Sequence, residues 1–292
     1  MLLQNVKSYA KINLGLNILS KRPDGFHELE SVFQQISLAD EIDFEIIPKG
    51  ISVTTDLPSQ VPDGEKNICY QAAKLLKDRF NVAQGIRIEI RKNIPVGAGL
   101  GGGSSNAAVV LAVLNHLWQL GLSCDELAAL GAEIGSDVPF FISGGTMLAR
   151  GRGEILSECQ VPIDYRCALI FPNFSVSTVW AYKNFKINLT NIQKNIKLAD
   201  VLSVNIKLHD FKKYFKNDLE AVVFQRYSEL EQIKNSFYEI GAEYASMSGS
   251  GSSVFGLFSS LDAEVVLEKF SLNPEFRVFF VNPIQKNYTS VA

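Results

Sequence analysis

The 292-residue chain has few of the residues that build metal clusters, disulfide frameworks or membrane spans. Its four cysteines show no C-x-x-C spacing and its three histidines are scattered, which argues against a zinc site. No apolar run reaches the roughly 18 residues that a bilayer requires, and no signal peptide is apparent. We therefore expect a soluble protein of a reducing, cytoplasmic compartment.

The chain also lacks a large excess of charge of either sign, since 28 basic and 31 acidic side chains give a formal net charge of −3. This balance argues against broad nucleic-acid binding, which usually needs a basic face. Hydrophobic residues make up 47% of the chain, so it can bury a core and is not disordered. The length allows one large domain or two of about 150 residues.

Alternating polar and apolar residues predict that the chain begins with strands. Residues 9–18 read YAKINLGLNI, a period-two pattern that puts one face on a core and leaves the polar face available. RPDG at 22–25 is a turn signal, and residues 31–47 are expected to be strand. The further elements expected in this half are a helix ending near Phe80 (68–80), a strand (85–91), a helix of about three turns from Ala107, a helix capped by Ser123 and Glu126 through Ile134, and a strand (146–156).

The second half of the chain has a different composition. Residues 183–217 carry eight lysines and no arginine, and we interpret them as a polar, partly helical surface segment. The elements predicted after them are a helix (219–240), a strand (242–247), a Gly/Ser turn (248–253), a strand (254–258), a helix (263–270) and a strand (276–281). This order indicates a second α+β unit, and we divide the chain into domains at 1–158 and 159–292.

The most informative stretch is PVGAGLGGGSSN at 95–106, which leads from a strand into a helix. Glycines allow successive backbone N–H groups to turn toward one point, and a helix N-terminus adds partial positive charge. A polyphosphate site is therefore predicted, with the two serines able to reach phosphate oxygens or a bound Mg²⁺. Its candidate residues are Pro95, Val96, Gly97, Ala98, Gly99, Leu100, Gly101, Gly102, Gly103, Ser104 and Ser105.

Two common nucleotide-binding motifs do not fit this stretch. A literal G-x-G-x-x-G is present at Gly97, Gly99 and Gly102, but the preceding strand alternates isoleucine with charged residues, unlike a buried Rossmann strand. No acidic residue ends a second strand about 20 residues later, and no Gly-Lys-Ser/Thr completes a Walker A loop.

Three segments instead resemble the motifs of the GHMP kinases, namely AKINL at 10–14, GLGGGSSNAA at 99–108 and SMSGSGSSVF at 246–255. Three more resemble the branch of that family that phosphorylates a cytidine-diphosphate-linked polyol in isoprenoid precursor synthesis: RPDGFH at 22–27, GSDVPFF at 135–141 and NDLE at 217–220. The matches keep the family's order over most of the chain. The resemblance implies an α+β fold of two domains, an N-terminal mixed α/β domain with the phosphate loop and a C-terminal ferredoxin-like α+β domain.

The resemblance assigns the catalytic pair to Asp137 and Lys11. Asp137 stands at a break between two apolar stretches, which suits a carboxylate that projects into a cleft and accepts the proton of a substrate hydroxyl. Lys11 would keep Asp137 ionised and offset developing charge, while Asn13, about 6–7 Å along the same strand face, would orient the substrate. Outside this context, an isolated Asp is more often a turn or helix-terminal residue, and a strand lysine is ordinarily solvated.

For the acceptor, the resemblance places a cytosine base at Phe26 and His27, the ring stacking and the imidazole bonding the base edge. Phe26 stands where a tyrosine is also common, so stacking is kept and a phenolic hydrogen bond is lost. Tyr182 is the expected second ring of the stack. Ser248 and Gly249 are expected against the phosphate and acceptor site, although a plain hairpin turn would look the same.

The remaining candidates are less specific. Asn67 either contacts the adenine or ribose of ATP or caps a helix, His116 is expected to pack within its helix, and His209 is expected to be exposed. The leading hypothesis is an ATP- and Mg²⁺-dependent kinase with small-molecule partners, no nucleic acid and no membrane, acting as a monomer or homodimer.

Two alternatives stay open, another GHMP kinase of the homoserine or mevalonate type and a nucleotide-binding module without catalysis. An RNA-binding role for residues 183–217 is less favoured, because no arginines and stacking aromatics are interleaved there. Since the net charge is −3, the chain offers no overall positive field. The anionic substrates are therefore expected to be held by backbone donors, Lys11 and Mg²⁺.

Overall fold

A computed structural model describes residues 2–186, 197–203 and 206–285, which form two β-sheets with helices packed on them. The first sheet contains β1 (Leu2–Lys21), β2 (His27–Ile47), β3 (Ile51–Thr55), β4 (Gly85–Arg91), β5 (Thr146–Gly151) and β6 (Ile155–Glu158). The second contains β7 (Arg166–Phe171), β8 (Tyr244–Met247), β9 (Val254–Phe258) and β10 (Arg277–Val281).

The helices are divided between the two sheets. The first half of the chain contributes α1 (Ile68–Arg79), α2 (Gly102–Leu117), α3 (Cys124–Ile134) and α4 (Val138–Ser143). The second half contributes α5 (Thr178–Asn184), α6 (Leu198–Leu202), α7 (Phe211–Tyr214), α8 (Glu220–Arg226), α9 (Ser228–Glu239) and α10 (Ala263–Phe270). Short 3₁₀ turns lie at Gly64–Lys66 and Leu208–Asp210.

A long antiparallel hairpin of β1 and β2 organises the first sheet. Its register runs from Leu2 opposite Glu45 to Lys21 opposite His27, and the predicted turn closes where Arg22 N–H donates to Phe26 O at 2.8 Å. β2 begins at His27 rather than at residue 31, so His27 lies on a strand end. The order β3-β4-β2-β5-β6 then places β4 and β5 against opposite ends of β2.

The polar face of β1 is covered by other parts of the chain, although its Lys11 and Asn13 line a cavity. Residues 10–18 are buried on both faces, including Lys11 at 4% and Asn13 at 1% exposure. The cover comes from distant parts of the chain: Lys11 N–H donates to Leu100 O at 3.0 Å, and Leu16 N–H donates to Lys216 O at 2.7 Å. A period-two pattern reports which face is apolar and not what covers the other face.

Two helices of the first half test the predicted helix starts: one begins where it was predicted and the other begins earlier. The capping box predicted at Ser123 and Glu126 is confirmed, with both of its reciprocal hydrogen bonds. Helix α2, in contrast, begins at Gly102, five residues before the predicted start at Ala107. Its first turn consists of glycine and serine, which carry no apolar periodicity to reveal it.

Two other predictions need correction. Residues 146–156 are the two strands β5 and β6 around a tight turn, and the predicted helix over 219–240 is the two helices α8 and α9. The break lies at Tyr227, whose φ of −124° and ψ of 68° are not helical. Strand β7 and helix α5 were not predicted.

The second sheet has the antiparallel order β10-β7-β9-β8. With α9 and α10 between its strands, the chain follows a β-α-β-β-α-β path, which is the ferredoxin-like arrangement. The strand over 254–258 and the helix over 263–270 are confirmed as β9 and α10. The predicted α+β fold class is therefore confirmed.

The described part of the lysine-rich segment is helical, as predicted, but it is not only a surface feature. Leu198, Leu208, Phe211 and Phe215 are buried in a core that also contains β1 and second-sheet residues. Lysines keep their charges in water while their neighbours pack. Residues 187–196 and 204–205 of the segment lie outside the described residues.

The two sheets share this core. Tyr244 Oη donates to Leu14 O at 2.6 Å, and Ser37 N–H donates to Asn282 O at 2.9 Å. β6 ends at Glu158 and β7 begins at Arg166, and the division into domains at 158/159 stays a prediction. Among the described helices, none is both long and apolar enough to cross a membrane.

Candidate active site

A cavity of about 1100 Å³ lies between the β1–β2 hairpin, the glycine-rich loop, the start of α4 and helix α5. Every sequence-predicted site residue lines it except Ser105 and Ser248. The structure therefore brings into one cavity the phosphate loop, Lys11, Asp137 and the aromatic residues, which lie far apart along the chain.

The glycine-rich loop owes its shape to glycines that no other residue could replace without strain. Gly97, Gly99 and Gly101 have φ values of 67°, 77° and 70°, a region that L residues seldom adopt. A Cβ on Gly99 would lie 2.0 Å from Ser248 O, and one on Gly101 would lie 2.7 Å from the Phe141 ring. The loop ends at Gly101, the N-cap of α2, and the first residues of that helix, whose N–H groups have no partner within it, line the cavity.

The two serines of the loop have different surroundings. Ser104 lines the cavity, whereas Ser105 is buried and its polar groups are already used. Its N–H donates to Gly101 O at 2.9 Å and its Oγ donates to Tyr9 O at 2.6 Å. The structure thus does not bring Ser105 to the phosphate site, because the helix starts early enough to turn this side chain toward β1.

The predicted catalytic pair is adjacent. Lys11 Nζ lies 3.6 Å from Asp137 Oδ2, donates to Asn13 Oδ1 and sits 4.7 Å from the centroid of the Phe33 ring. Burial lowers the pKa of Lys11, and the neighbouring Asp137 carboxylate opposes that shift. The lysine is thus held as a desolvated cation whose main counter-charge is the carboxylate facing the cavity.

Asp137 is the N-cap residue of α4, yet its side chain makes no capping hydrogen bond. The alternative of a merely structural helix-terminal Asp is thereby disfavoured, because the carboxylate is directed to Lys11 and stays about one-third exposed to the cavity. A carboxylate in this position can accept a proton from a bound hydroxyl.

Asn13 and Ser248 hold this pair in place. Asn13 Nδ2 donates to Ser31 Oγ at 2.9 Å, and Asn13 N–H donates to Ser248 Oγ at 3.3 Å. Ser248 Oγ in turn donates to Gly99 O at 2.9 Å. Ser248 therefore links β1 to the phosphate loop instead of lining the cavity, while Gly249 lines it.

The NDLE segment at 217–220 supports the same turn. Asn217 Nδ2 donates to both Met247 O and Gly249 O at 2.7 Å, and Asp218 Oδ2 accepts from Ile18 N–H at 2.8 Å. This family-like segment is thus a brace between β1 and residues 247–249, and its residues do not line the cavity.

The three aromatic residues expected around a cytosine, Phe26, His27 and Tyr182, all line the cavity, and their stacking on a base stays a prediction. The His27 and Tyr182 rings lie 5.3 Å apart and are tilted by 32°, while Phe26, 54% exposed, has the Arg152 guanidinium 5.1 Å from its ring centroid. Burial and the nearby Lys21 lower the pKa of His27, which favours the neutral imidazole. Burial and the Asp137 charge raise the pKa of Tyr182.

Asn67 is the N-cap of α1, which confirms the helix-cap alternative given for this residue. Its Oδ1 accepts from Cys69 N–H at 2.8 Å and its Nδ2 donates to Pro62 O at 2.8 Å. The residue also lines the cavity, so contact with the adenine or ribose stays a prediction. His116 is exposed rather than packed, and His209 is exposed as expected.

A buried charge network beneath the phosphate loop was missed from the sequence. The Asp40 carboxylate, fully buried, pairs with Lys92 and accepts from Asn93 N–H and Ile94 N–H, each at 2.8 Å. Lys92 Nζ also donates to Asn106 Oδ1 at 3.1 Å. No local motif marks Asp40, because its partners all lie more than fifty residues away along the chain.

The cavity is also more positive than the net charge suggested. Its lining includes six cationic side chains, those of Lys11, Lys21, Lys66, Lys92, Arg152 and Lys183. Among the described residues, Asp137 is the one carboxylate that lines it. The chain as a whole carries a net charge of −3, yet cations other than Lys11 gather at this site, because a net charge says nothing about where the charges lie.

No protein cage for a metal ion is found in the part of the chain that the structure describes, where no three His, Cys, Asp or Glu side chains are grouped to hold one. The donors in the cavity, chiefly Ser104 and Asp137, fit an ion such as Mg²⁺ that arrives with nucleotide phosphates and needs few protein ligands.

Comparisons with known proteins agree with this fold and site. The family model for the N-terminal domain of GHMP kinases matches residues 67–145, and the model for their C-terminal domain matches residues 193–274. A homoserine kinase from Cytophaga hutchinsonii ATCC 33406, 21% identical over 97% of this chain and 98% of that one, has a TM-score of 0.71 and supports the fold alone. The chain therefore has the fold of a GHMP kinase.

Two further relatives narrow the class. The 4-diphosphocytidyl-2-C-methyl-D-erythritol kinase of Geobacillus kaustophilus (strain HTA426) is 45% identical over 257 residues, which are 87% of each chain. A crystal structure of 4-(cytidine 5'-diphospho)-2C-methyl-D-erythritol kinase is 30% identical, covers 97% of this chain and 99% of that one, and has a TM-score of 0.70. The chain belongs to the 4-diphosphocytidyl-2-C-methyl-D-erythritol kinase family.

Proposed function

We propose that this chain transfers the γ-phosphoryl group of ATP to the 2-hydroxyl of 4-diphosphocytidyl-2-C-methyl-D-erythritol, in the non-mevalonate route to isoprenoid precursors. The observation that carries the proposal is the Lys11–Asp137 pair at 3.6 Å, which shares one cavity with a phosphate loop and with aromatic side chains. The names of the relatives at 45% and 30% identity supply the acceptor.

The phosphate loop would hold the ATP phosphates. The residues at the start of α2 line the cavity, and the partial positive charge of a helix N-terminus favours negative charge there. Asn67 is the candidate contact for the nucleoside, from the N-cap of α1. An Mg²⁺ ion bound with ATP would neutralise phosphate charge, with Ser104 as the loop hydroxyl that faces it.

Asp137 would act as the general base. Its carboxylate accepts the proton of the acceptor hydroxyl as that oxygen attacks the γ-phosphorus, and Lys11 keeps the carboxylate ionised until then. Because Lys11 is desolvated, its charge acts on the transferred group with little screening by water. Asn13 holds the lysine in position through its Oδ1.

The cytosine base of the acceptor would bind away from the glycine-rich loop, against Phe26, His27 and Tyr182, which also line the cavity. Tyr182 and Phe26 offer ring faces for stacking, and the neutral imidazole of His27 can both donate and accept a hydrogen bond at the base edge. Gly249 would leave room for the acceptor beside Asn13, since a Cβ there would lie 3.3 Å from Asn13 Oδ1.

A coupled assay of ATP consumption with three acceptors tests the proposal. We expect turnover with 4-diphosphocytidyl-2-C-methyl-D-erythritol and none with homoserine or mevalonate, because only the first carries a cytosine for the aromatic end of the cavity. Comparable kcat/KM for homoserine or mevalonate would support another GHMP kinase. ATP binding without turnover of any acceptor would support the non-catalytic alternative.

The remaining parts of the proposal concern organisation. The chain would act in the cytoplasm on small molecules, as a monomer or a homodimer, which sedimentation at several protein concentrations would distinguish. The domain boundary at 158/159 predicts that limited proteolysis of the whole chain cuts first between β6 and β7.

A further inference from the structure

Three cations at the acceptor end of the cavity have no role in the mechanism above: Lys21, Arg152 and Lys183. We propose that Arg152 recognises the diphosphate of the acceptor and makes the site prefer a cytidine diphosphate over a cytidine monophosphate. The inference rests on the proposed function, since it takes the acceptor to be a nucleoside diphosphate derivative.

Arg152 stands on a turn with a fixed backbone. The turn joins β5 to β6 and is flanked by Gly151 and Gly153, whose φ values are 71° and 112°. Arg152 N–H donates to Glu154 Oε2 at 2.6 Å, and Gly153 N–H donates to Arg150 O at 3.0 Å. The side chain therefore starts from a defined point at the cavity wall.

The turn lies between the two ends of the acceptor. The Arg152 guanidinium is 5.1 Å from the centroid of the Phe26 ring, at the base end. Gly153, the next residue of the turn, lies near the catalytic end of the acceptor site, because a Cβ on it would lie 3.6 Å from Asp137 Oδ1. In a cytidine-diphosphate-linked polyol the diphosphate connects the nucleoside to the polyol, so a molecule spanning from Phe26 to Asp137 brings its diphosphate past this turn.

The carboxylates near Arg152 leave part of the guanidinium available. Glu154 Oε1 lies 3.5 Å from Nε, and Asp24, a second carboxylate on which the Arg152 charge acts, is engaged by Arg22 Nε at 3.2 Å. Within the described ranges, the structure records no hydrogen bond from the Nη groups of Arg152. These two groups form the planar fork that suits phosphate oxygens.

Lys21 and Lys183 are less suited to this recognition. Both are exposed point charges on flexible side chains, whereas Arg152 is half-buried and anchored on the Phe26 ring. Lys21 also lies opposite His27 in the hairpin, where its charge acts on the imidazole. We therefore assign to the two lysines a general attraction of anions, and to Arg152 the discrimination between a cytidine diphosphate and a cytidine monophosphate.

Calorimetric titration of the whole protein with cytidine, CMP and CDP tests the proposal. Arg152→Gln should weaken CDP binding about 10- to 100-fold and leave cytidine binding within about twofold, since a charge-assisted hydrogen bond is lost and the base contacts stay. Arg152→Lys should fall between the wild type and Arg152→Gln. The matched control is Arg79→Gln, which removes the same charge from an exposed pair with Glu133 on α1 and should leave all three affinities unchanged.

Steady-state kinetics supply the second readout: Arg152→Gln should raise the KM for the acceptor and leave the KM for ATP unchanged. An unaltered CDP affinity in Arg152→Gln would overturn the proposal, and so would an equal loss for cytidine and CDP, which would indicate that Arg152 only supports Phe26. If the wild-type protein binds none of the three ligands and turns over no cytidylyl acceptor, the proposed function itself fails.

Discussion

Lys11 Nζ lies 3.6 Å from Asp137 Oδ2, with the lysine buried and the carboxylate about one-third exposed. One partner comes from the first strand and the other from the N-cap of α4, so the pair exists only once the hairpin and the helices have packed. This asymmetry of exposure fits the proposed mechanism, in which the buried lysine would supply the charge and the accessible carboxylate would meet the substrate.

Removing either member of this pair should stop catalysis without unfolding the protein. Asp137→Asn removes the proton acceptor and should lower kcat by about 10²–10⁴, the range found for general bases, while the KM for ATP changes little. Lys11→Met should lower kcat by a similar factor. The double variant should be barely worse than either single variant, because the two groups act as a unit.

Steady-state kinetics with thermal unfolding of each variant check this prediction. Asp137→Asn should melt within a few degrees of the wild type, since the side chain is about one-third exposed and caps no helix, and the asparagine amide oxygen can still face Lys11. Turnover near the wild-type rate in both single variants would remove the assigned roles.

Gly99 should tolerate no side chain. Gly99→Ala combines a left-handed φ of 77° with a Cβ placed 2.0 Å from Ser248 O, so we expect a loss of about 3 kcal/mol or more in the free energy of unfolding. The control is Gly121→Ala, which has a φ of 70° but no atom within 4 Å of the new Cβ. It should cost about 1–2 kcal/mol, from backbone strain alone.

Denaturant titrations measure both variants, and the KM for ATP reports on the loop. A similar loss of stability in the two variants would show that the contact between the phosphate loop and the 248–253 turn is looser than the structure indicates.

The pKa of His27 should depend on Lys21. Because burial and the Lys21 charge both lower this pKa, Lys21→Gln should raise it toward its ordinary value without reaching it. A histidine with a lower pKa in the folded state lets the unfolded chain bind the proton first. The contribution of His27 to the free energy of unfolding should therefore be constant above about pH 6.5 and fall as the pH drops below it.

Nuclear magnetic resonance titration of the three imidazoles gives the pKa directly. Lys49→Gln is the control, since this exposed lysine lies beyond the far end of β2 from His27. A His27 pKa that does not move in Lys21→Gln would assign the whole shift to burial.

The Asp40–Lys92 pair should contribute far more to the free energy of unfolding than a surface ion pair does. Asp40→Asn leaves Lys92 without its buried partner and weakens the acceptors for Asn93 and Ile94 N–H, so we expect a loss of about 3–5 kcal/mol in the free energy of unfolding. Asp78→Asn, which breaks an exposed pair with Lys74 on α1, should cost less than about 0.5 kcal/mol.

A double-mutant cycle separates the pair from its surroundings. Lys92→Met should cost less in the Asp40→Asn background than in the wild type, because the ammonium has then already lost its counter-charge. Equal costs in the two backgrounds would mean that the two groups are not energetically coupled.

Much of the local structure was predictable because its causes lie within a few residues. The Ser123–Glu126 capping box, the turn at 22–25 and the strand at 254–258 all depend on neighbouring side chains and backbone preferences. The glycine-rich loop was readable for the same reason, since its positive φ values require glycine whatever surrounds it. The start of α2 was not readable, because Gly102 to Ser105 carry no hydrophobic pattern.

The sequence by itself determined the fold class, the glycine-rich loop and the candidate residues Lys11 and Asp137, because each is encoded in a short motif. Tertiary structure decided what each side chain meets. It turned Ser105 away from the cavity, placed Ser248 between β1 and the phosphate loop, paired His27 with Tyr182 and gathered six cations in a chain of net charge −3. These outcomes depend on strand register and on packing between distant segments, which no local pattern records.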